Sequence, residues 1–489
     1  MKLNTLFSCT FLIASVASSN LAHSSAYIGT QDKQLHYDLQ TLVEWGYLDA
    51  AMTTFPVPWK GVAIELKNVT PEGMGFRPLQ AYMRLNHYLR LYKRAESRKY
   101  LTLQGATDEV RLRSFDDGVE DTGKVTLSSE FYSARLSGQL SVNYAAGGKK
   151  NFDNSFIAYQ YDNWNLRLGS VDQWWGPGQS SSLIMSNNTR PIKAISFSRS
   201  TNTRSQSPWL AWMGPWFLTL QLGQLENDRS VSRTNLIMNR FNARPVKGLE
   251  IGLSWTTMWG GEGQANGFHT LYEVLTFKGI CEAPSGDCTE GGETKRGNYL
   301  AGIDLTYTTR FLNRPWTFYL QRIGEDAVNG YRVTDNANLF GVSTYYKGAK
   351  IFLESSDTNV ECGPSGSAVT NCYYENNSYP DGYRMYGRTF GSTFDSDAKQ
   401  ITLGANIRFE GGETAEVYIR SAELNEDGVR PSPVLTEGDS EDLLEVSGFY
   451  QKPVGDWLLK AGGSIANRKF TNADDEVDAV LYVKAQFAF

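Results

Sequence analysis

Between Asp172 and Pro191 the chain concentrates side chains suited to holding a sugar. The run reads Asp172, Gln173, Trp174, Trp175, Gly176, Pro177 and Gly178, then Ser180 to Leu183, then Asn187, Asn188, Thr189 and Arg190. An indole face stacks on the C–H face of a pyranose, amides and carboxylates engage hydroxyls, and a guanidinium pairs with an acidic sugar's carboxylate. The candidate glycan contacts are therefore Asp172, Trp174, Trp175, Asn187, Asn188 and Arg190. Gly176, Pro177 and Gly178 fix a tight turn that could present the indoles. A second placement competes, with the segment folded inward, Trp174 and Trp175 packing as a plug and Arg190 paired to Asp172. That placement is compatible with binding.

Bond-breaking chemistry finds less support. Apart from His23 near the N-terminus, the histidines are His36, His87 and His269, and no local Ser and His arrangement gives a nucleophile its base. Glu437, Asp439, Glu441 and Asp442 are plentiful carboxylates, but such groups in surface loops read as solvated charge rather than a glycosidase dyad. Asp474, Asp475, Glu476 and Asp478 do not have the spacing of an EF-hand loop. The reading is non-enzymatic, with no cofactor and no metal.

The elements that must position this segment are strands. Ala479 to Phe489 alternate, with Leu481, Val483, Ala485, Phe487 and Phe489 on one side and Val480, Tyr482, Lys484, Gln486 and Ala488 on the other. A final strand of about 9 to 11 residues with one lipid face and one wet face is what a transmembrane β-barrel needs to close. Period-two patterning recurs over Leu136–Tyr144, Tyr299–Tyr307 and Ile401–Phe409. The expected fold is an all-β antiparallel transmembrane barrel of about 18 strands, range about 16 to 20, over 98–489. Aromatics at 13% suit girdles at two membrane interfaces.

Upstream, Lys2, an apolar run from Leu3 to Val16 and small residues near Ala26 predict a signal peptide over 1–26. Cys9 lies too early for a lipoprotein signal. Residues 27–97 change period: Leu35, Leu39 and Leu42, then Tyr82, Leu85, Leu89 and Tyr92, predict a small α-helical bundle on the periplasmic side. Arg84, His87, Arg90, Arg94 and Arg98 share one face, either solvated or able to meet lipid phosphate or an acidic polymer.

Short connections at Lys452–Asp456, Glu410–Glu413, Lys347–Lys350, Leu312–Pro315 and Ala243–Gly248 fall on the inner side when counted back from Phe489. Residues 172–207, 259–298, 356–398, 424–441 and 467–476 then become outer loops, with a short amphipathic helix near Leu271. Cys281 with Cys288 and Cys362 with Cys372 read as two local disulfides, a four-cysteine zinc site being the alternative. The formal charge of −6 argues against nucleic acid as a partner.

Gly169 to Arg199 also resembles the signature of the Wzi family of outer-membrane capsule-attachment barrels. The matching residues are Asp172, Trp174-Trp175-Gly176-Pro177-Gly178, Ser182-Leu183, Ser186-Asn187-Asn188 and Arg190-Pro191. Leu35 to Leu48 followed by Pro56-Val57-Pro58-Trp59 is similar to that family's N-terminal helix and turn. Leu271 to Gly279 followed by Gly297 to Asp304 fits as well. The resemblance implies an 18-stranded barrel plugged by its loops, with a periplasmic helical bundle. It implies a lectin-like task, holding exported capsular or exopolysaccharide at the cell surface. The cysteine-bearing loops match no family pattern, so sugar specificity does not carry over.

Expected partners are this polysaccharide, outer-membrane lipid and, during biogenesis, the barrel assembly machinery, with the protein a monomer. The competing function is a diffusion channel, because Arg135, Ser137, Gln139, Ser141, Asn143, Thr402, Asn406 and Arg408 would suit an aqueous lumen. The helices and long outer loops have enough material to occlude both mouths.

Overall fold

Alternating polarity sets the wall. Along Lys399 to Leu403, Ile401 and Leu403 are exposed while Gln400 and Thr402 are buried. The apolar side faces lipid and the polar side faces the lumen. The computed structural model describes residues 27–489 apart from 31, 95–96, 116–120, 134, 277–288, 291–292, 295–296, 329–331, 361–371, 377, 427 and 429–438. Among the described residues no helix is long and apolar enough to cross a membrane, so the crossing is made by strands.

Eighteen antiparallel strands close the barrel among the described residues. They are β1 (Lys99–Ala106), β2 (Gly123–Tyr132), β3 (Leu136–Ala145), β4 (Phe156–Tyr161, preceded by a short piece at Lys150–Asn151), β5 (Trp164–Ser170) and β6 (Lys193–Arg199). Next come β7 (Trp216–Gln224), β8 (Asn235–Val246), β9 (Leu249–Trp259), β10 (Asn298–Phe311), β11 (Arg314–Val328) and β12 (Arg332–Tyr346). The wall finishes with β13 (Ala349–Asp357), β14 (Ala398–Arg408), β15 (Thr414–Leu424), β16 (Glu441–Val454), β17 (Trp457–Phe470) and β18 (Glu476–Ala488). Closure is direct: β18 pairs with β1 from Tyr482↔Ala106 to Ala488↔Tyr100.

The inner turns fall where parity placed them. The outer loop expected over 172–207 needs correction, because Lys193–Arg199 is a wall strand paired to both neighbours. Ile195 and Phe197 are exposed while Ala194, Ser196 and Ser198 are buried, so this segment alternates like the rest. The outer connection is 171–192, and 200–215 is an inner-rim excursion carrying a 3₁₀ turn at Pro208–Met213.

Three helices, α1 (Lys33–Glu44), α2 (Trp59–Leu66) and α3 (Phe76–Arg94), fill the inner mouth. Asp32 caps α1 by accepting from the Gln34 and Leu35 amides. Leu35, Leu39, Leu42, Leu85, Leu89 and Tyr92 form a core with Trp174, as their spacing predicted. The bundle is tied to the lumen wall by buried ionic contacts. Lys33 Nζ lies 3.2 Å from Glu416 Oε2, Lys350 Nζ lies 2.9 Å from Glu44 Oε1, and Arg408 pairs with Asp38. Removing one partner of such a pair leaves an uncompensated buried charge, at about 3–5 kcal/mol.

The basic stripe on α3 is not one solvated face. Arg84 turns inward to Asp32 at 2.8 Å and Asp38 at 3.5 Å. Burial pushes the Asp32 carboxyl up, but the Arg84 charge and the hydrogen bonds it accepts outweigh this and hold it below the usual range. Arg98 pairs with Glu130 at 3.1 Å. Residues 1–26, Cys281, Cys288 and Cys362 lie outside the described residues; Cys372 is disulfide-bonded.

Candidate functional site

The connection 171–192 leaves β5 and turns into the lumen rather than out to solvent. Trp174 and Trp175 pair antiparallel with Phe55 and Thr54 of the N-terminal segment. Gly176 sits at φ 125, a left-handed region open to glycine, and a Cβ there would meet Gln321 Nε2 at 2.5 Å. Gln321 accounts for that crowding: it accepts from the Leu183 amide at 2.8 Å and donates to the Trp175 carbonyl at 3.0 Å.

The turn after Pro177 is held by a single carboxylate. Glu354, inward-facing on β13, accepts from the Gln179 amide at 2.6 Å, Ser180 at 3.1 Å and Ser181 at 3.0 Å, and from the Tyr319 hydroxyl at 3.0 Å. The segment then packs beneath residues 372–397. Tyr374 donates to the Leu183 carbonyl at 2.6 Å, and Asn188 Nδ2 donates to the Thr389 carbonyl at 3.0 Å. Leu183, Ile184, Met185, Tyr373, Tyr374, Tyr383 and Phe390 join Trp175 in one buried core inside the barrel.

The six candidate residues therefore separate. Trp174 and Trp175 are 1% and 0% exposed, so each indole is covered by protein. Trp174 meets Phe115 and donates through Nε1 to the Gly178 carbonyl at 3.1 Å. Asn188 is buried, with Arg388 donating to its Oδ1 at 3.2 Å. Asp172, Asn187 and Arg190 remain partly exposed. Arg190 pairs with Asp153, through Nε at 2.7 Å and Nη2 at 3.1 Å. Asp172 accepts from Asn154 Nδ2 at 2.8 Å.

Asp172 and Asn187 stand at a lumenal cavity of about 290 Å³ between the plug and β1–β3 and β18, and Arg190 is tied to its lining by the ion pair with Asp153. Asp172 and Asn187 line it beside Asp153 and Asn154. Wall groups continue from Gln104, Lys124 and Asn143 near the outer rim to Tyr100 and Glu130 near the inner one. Hydroxyls, amides and both signs of charge converge there, the donor and acceptor set a hydroxyl-rich ligand needs.

Tyr386, absent from the candidates read in the sequence, is linked to this cavity through Arg190 and Asp153. Arg190's guanidinium sits 4.6 Å from the centre of its ring, and the side chain is 53% exposed. It occupies a two-residue hairpin turn, Met385↔Arg388, with φ 53 at Tyr386 and 78 at Gly387. The Tyr-Gly pair was the available signal for that turn.

Three of the outer-rim carboxylates read in the sequence as solvated charge are paired to one arginine instead. Glu476 and Asp478 lie 3.1 Å and 3.3 Å from Arg468 Nη1, and Glu441 accepts from Arg468 Nε at 2.8 Å.

A family model described as "Capsule assembly protein Wzi" matches residues 93–481. Over 352 residues the chain is 26% identical to a Klebsiella pneumoniae protein described as an uncharacterized 55.8 kDa protein in the cps region. That match covers 68% of this chain and 66% of the relative, a little under two thirds of its length. An Escherichia coli structure described as Wzi, an outer membrane protein involved in group 1 capsule assembly and a carbohydrate-binding β-barrel, superposes with a TM-score of 0.79 at 22% identity. The superposition covers 95% of this chain and 100% of that one, and establishes the fold.

Proposed function

The chain belongs to the Wzi family of capsule assembly proteins, and from that premise we propose that it binds exported capsular or exopolysaccharide and holds it at the cell surface without bond chemistry. The observation that carries this reading is the polar lumenal cavity lined by Asp172, Asn187 and Asp153, the last paired to Arg190, whose guanidinium lies over the Tyr386 ring. A cavity near the low end of the ligand range of about 300–1,000 Å³ suits a terminal or branch sugar of a polymer rather than a chain in transit.

In this reading Asp172 and Asn187 engage hydroxyls, Arg190 meets an acidic substituent, and the open part of the Tyr386 ring stacks on a sugar. Trp174 and Trp175 hold the plug that positions these groups. The protein acts as a monomer inserted by the barrel assembly machinery, with 27–97 on the periplasmic side. The test is binding of the purified barrel to polysaccharide isolated from the producing cells. A variant carrying Asp172→Ala, Asn187→Ala and Tyr386→Ala should lose most binding while keeping its folded mobility. Unchanged binding would overturn the assignment.

A further inference from the structure

Among the described residues one helix lies outside the barrel. Helix α4 (Phe268–Leu275) follows β9 in an outer connection. Of its two buried side chains, Val274 packs with Ile237, Trp259 and Tyr299, and Trp255 and Leu271 adjoin them. Register fixes which side of the wall these residues occupy. Leu253 pairs with Ile303, and both are exposed to the lipid side. Trp255 and Trp259 lie two and six residues beyond Leu253 on the same strand face, and Ile237 and Tyr299 both pair opposite Thr257, also on that face. The lumen face of the same strand carries Glu250, whose carboxylate accepts from the Met52 amide at 2.9 Å. Thus α4 covers the barrel's exterior at its outer rim. Tyr299 donates to the Val274 carbonyl at 3.3 Å, fixing the helix end there.

The helix has three sides. Thr270 and Val274 face the wall. Phe268, Tyr272 and Leu275, spaced i, i+4 and i+7, form an apolar stripe that is 92%, 57% and 47% exposed. His269 and Glu273 form the polar side and lie 3.5 Å apart. A helix resting on a lipid-facing wall with adjoining apolar and polar exposed sides matches an interfacial helix, not a solvated one. Leu271, next to Tyr272 in the helix, packs into the same cluster as Trp255 of the lipid-side strand face.

We propose that α4 is seated at the headgroup and acyl boundary of the outer leaflet, with Phe268, Tyr272 and Leu275 in contact with lipid acyl chains. It replaces the lipid-facing surface of Trp255, Trp259 and Tyr299 and clamps the outer connection after β9 to the membrane plane. This inference stands apart from the polysaccharide reading.

The test uses the full barrel in phosphatidylcholine and phosphatidylglycerol vesicles, with nitroxide labels at Tyr272→Cys and, separately, Leu275→Cys. Leu253→Cys serves as the lipid-facing reference and Asp474→Cys as the water-facing one, with unsubstituted protein labelled in parallel. Accessibility to oxygen relative to a water-soluble nickel complex at both helix sites should match Leu253 and exceed Asp474 several-fold. Ratios like that of Asp474 at either site would overturn the proposal. Low access to both reagents, the signature of a protein contact, would overturn it in favour of a second copy of the chain. Should one variant fail to insert, Phe268→Cys replaces it.

Discussion

Replacing Glu354 by Gln tests whether the plug is held as described. The carboxylate accepts from three consecutive backbone amides, Gln179 to Ser181, and from Tyr319, all without solvent. Glutamine keeps the shape but must point its NH₂ at one of those donors. At least one buried N–H then lacks an acceptor, at about 1–3 kcal/mol, and the surviving bonds lose their charge assistance. A combined cost of about 2–4 kcal/mol raises the open population of the turn by about 30- to 800-fold. Hydrogen exchange of peptides spanning 177–183, measured on the folded barrel in detergent, reads that opening directly. Exchange increased by less than about threefold, a cost under about 0.7 kcal/mol, would refute the role given to Glu354.

Three further outcomes follow from the same geometry. Trp174→Phe and Trp175→Phe should largely preserve polymer binding while Tyr386→Ala weakens it by about 1 kcal/mol, roughly fivefold; the reverse ranking in a glycan-binding assay would return the indoles to the site. His36 is packed against Phe55 and Phe115, and burial together with the Lys350 and Lys33 charges holds its imidazole well below 6.5. It is therefore neutral when folded and takes a proton when released, so plug stability is present above about pH 6.5 and falls as pH drops below it, by at most about 1.4 kcal/mol per pH unit. Thermal unfolding between pH 7.5 and 5.5 should show that slope in the parent and a shallower one in His36→Phe. Lys33→Ala strands Glu416, a buried carboxylate that also accepts from Tyr37 at 2.6 Å, and should loosen α1 by about 3–5 kcal/mol, read as increased exchange in 33–44.

The wall was legible because each strand carries its own signal. Alternation is local, and Ile401 or Leu403 needs no distant partner to declare its side. The seven residues of β6 were absorbed into a loop because Pro191 and Ser200 bracket them and their inward positions are Ala and Ser, which weakens the contrast. Trp174 and Trp175 were ambiguous for a different reason. A tryptophan pair in a Gly, Pro and Ser segment suits a presented loop and an inserted plug equally, and Glu354, Gln321 and Tyr374 settle the matter from strands and loops far along the chain. Arg190 illustrates the same limit: it pairs with Asp153, in the neighbouring outer connection, a residue its own segment gives no reason to choose.

The central claim is retention of polymer at the surface. It is tested most directly in a deletion strain of the producing organism by dividing total capsular or exopolysaccharide between cells and medium. Deletion should leave synthesis normal with polymer shed into the medium, reversed by the parent gene and not by the variant carrying Asp172→Ala, Asn187→Ala and Tyr386→Ala. Unchanged retention on deletion, accompanied by reduced uptake of a small solute, would contradict it and favour a diffusion channel.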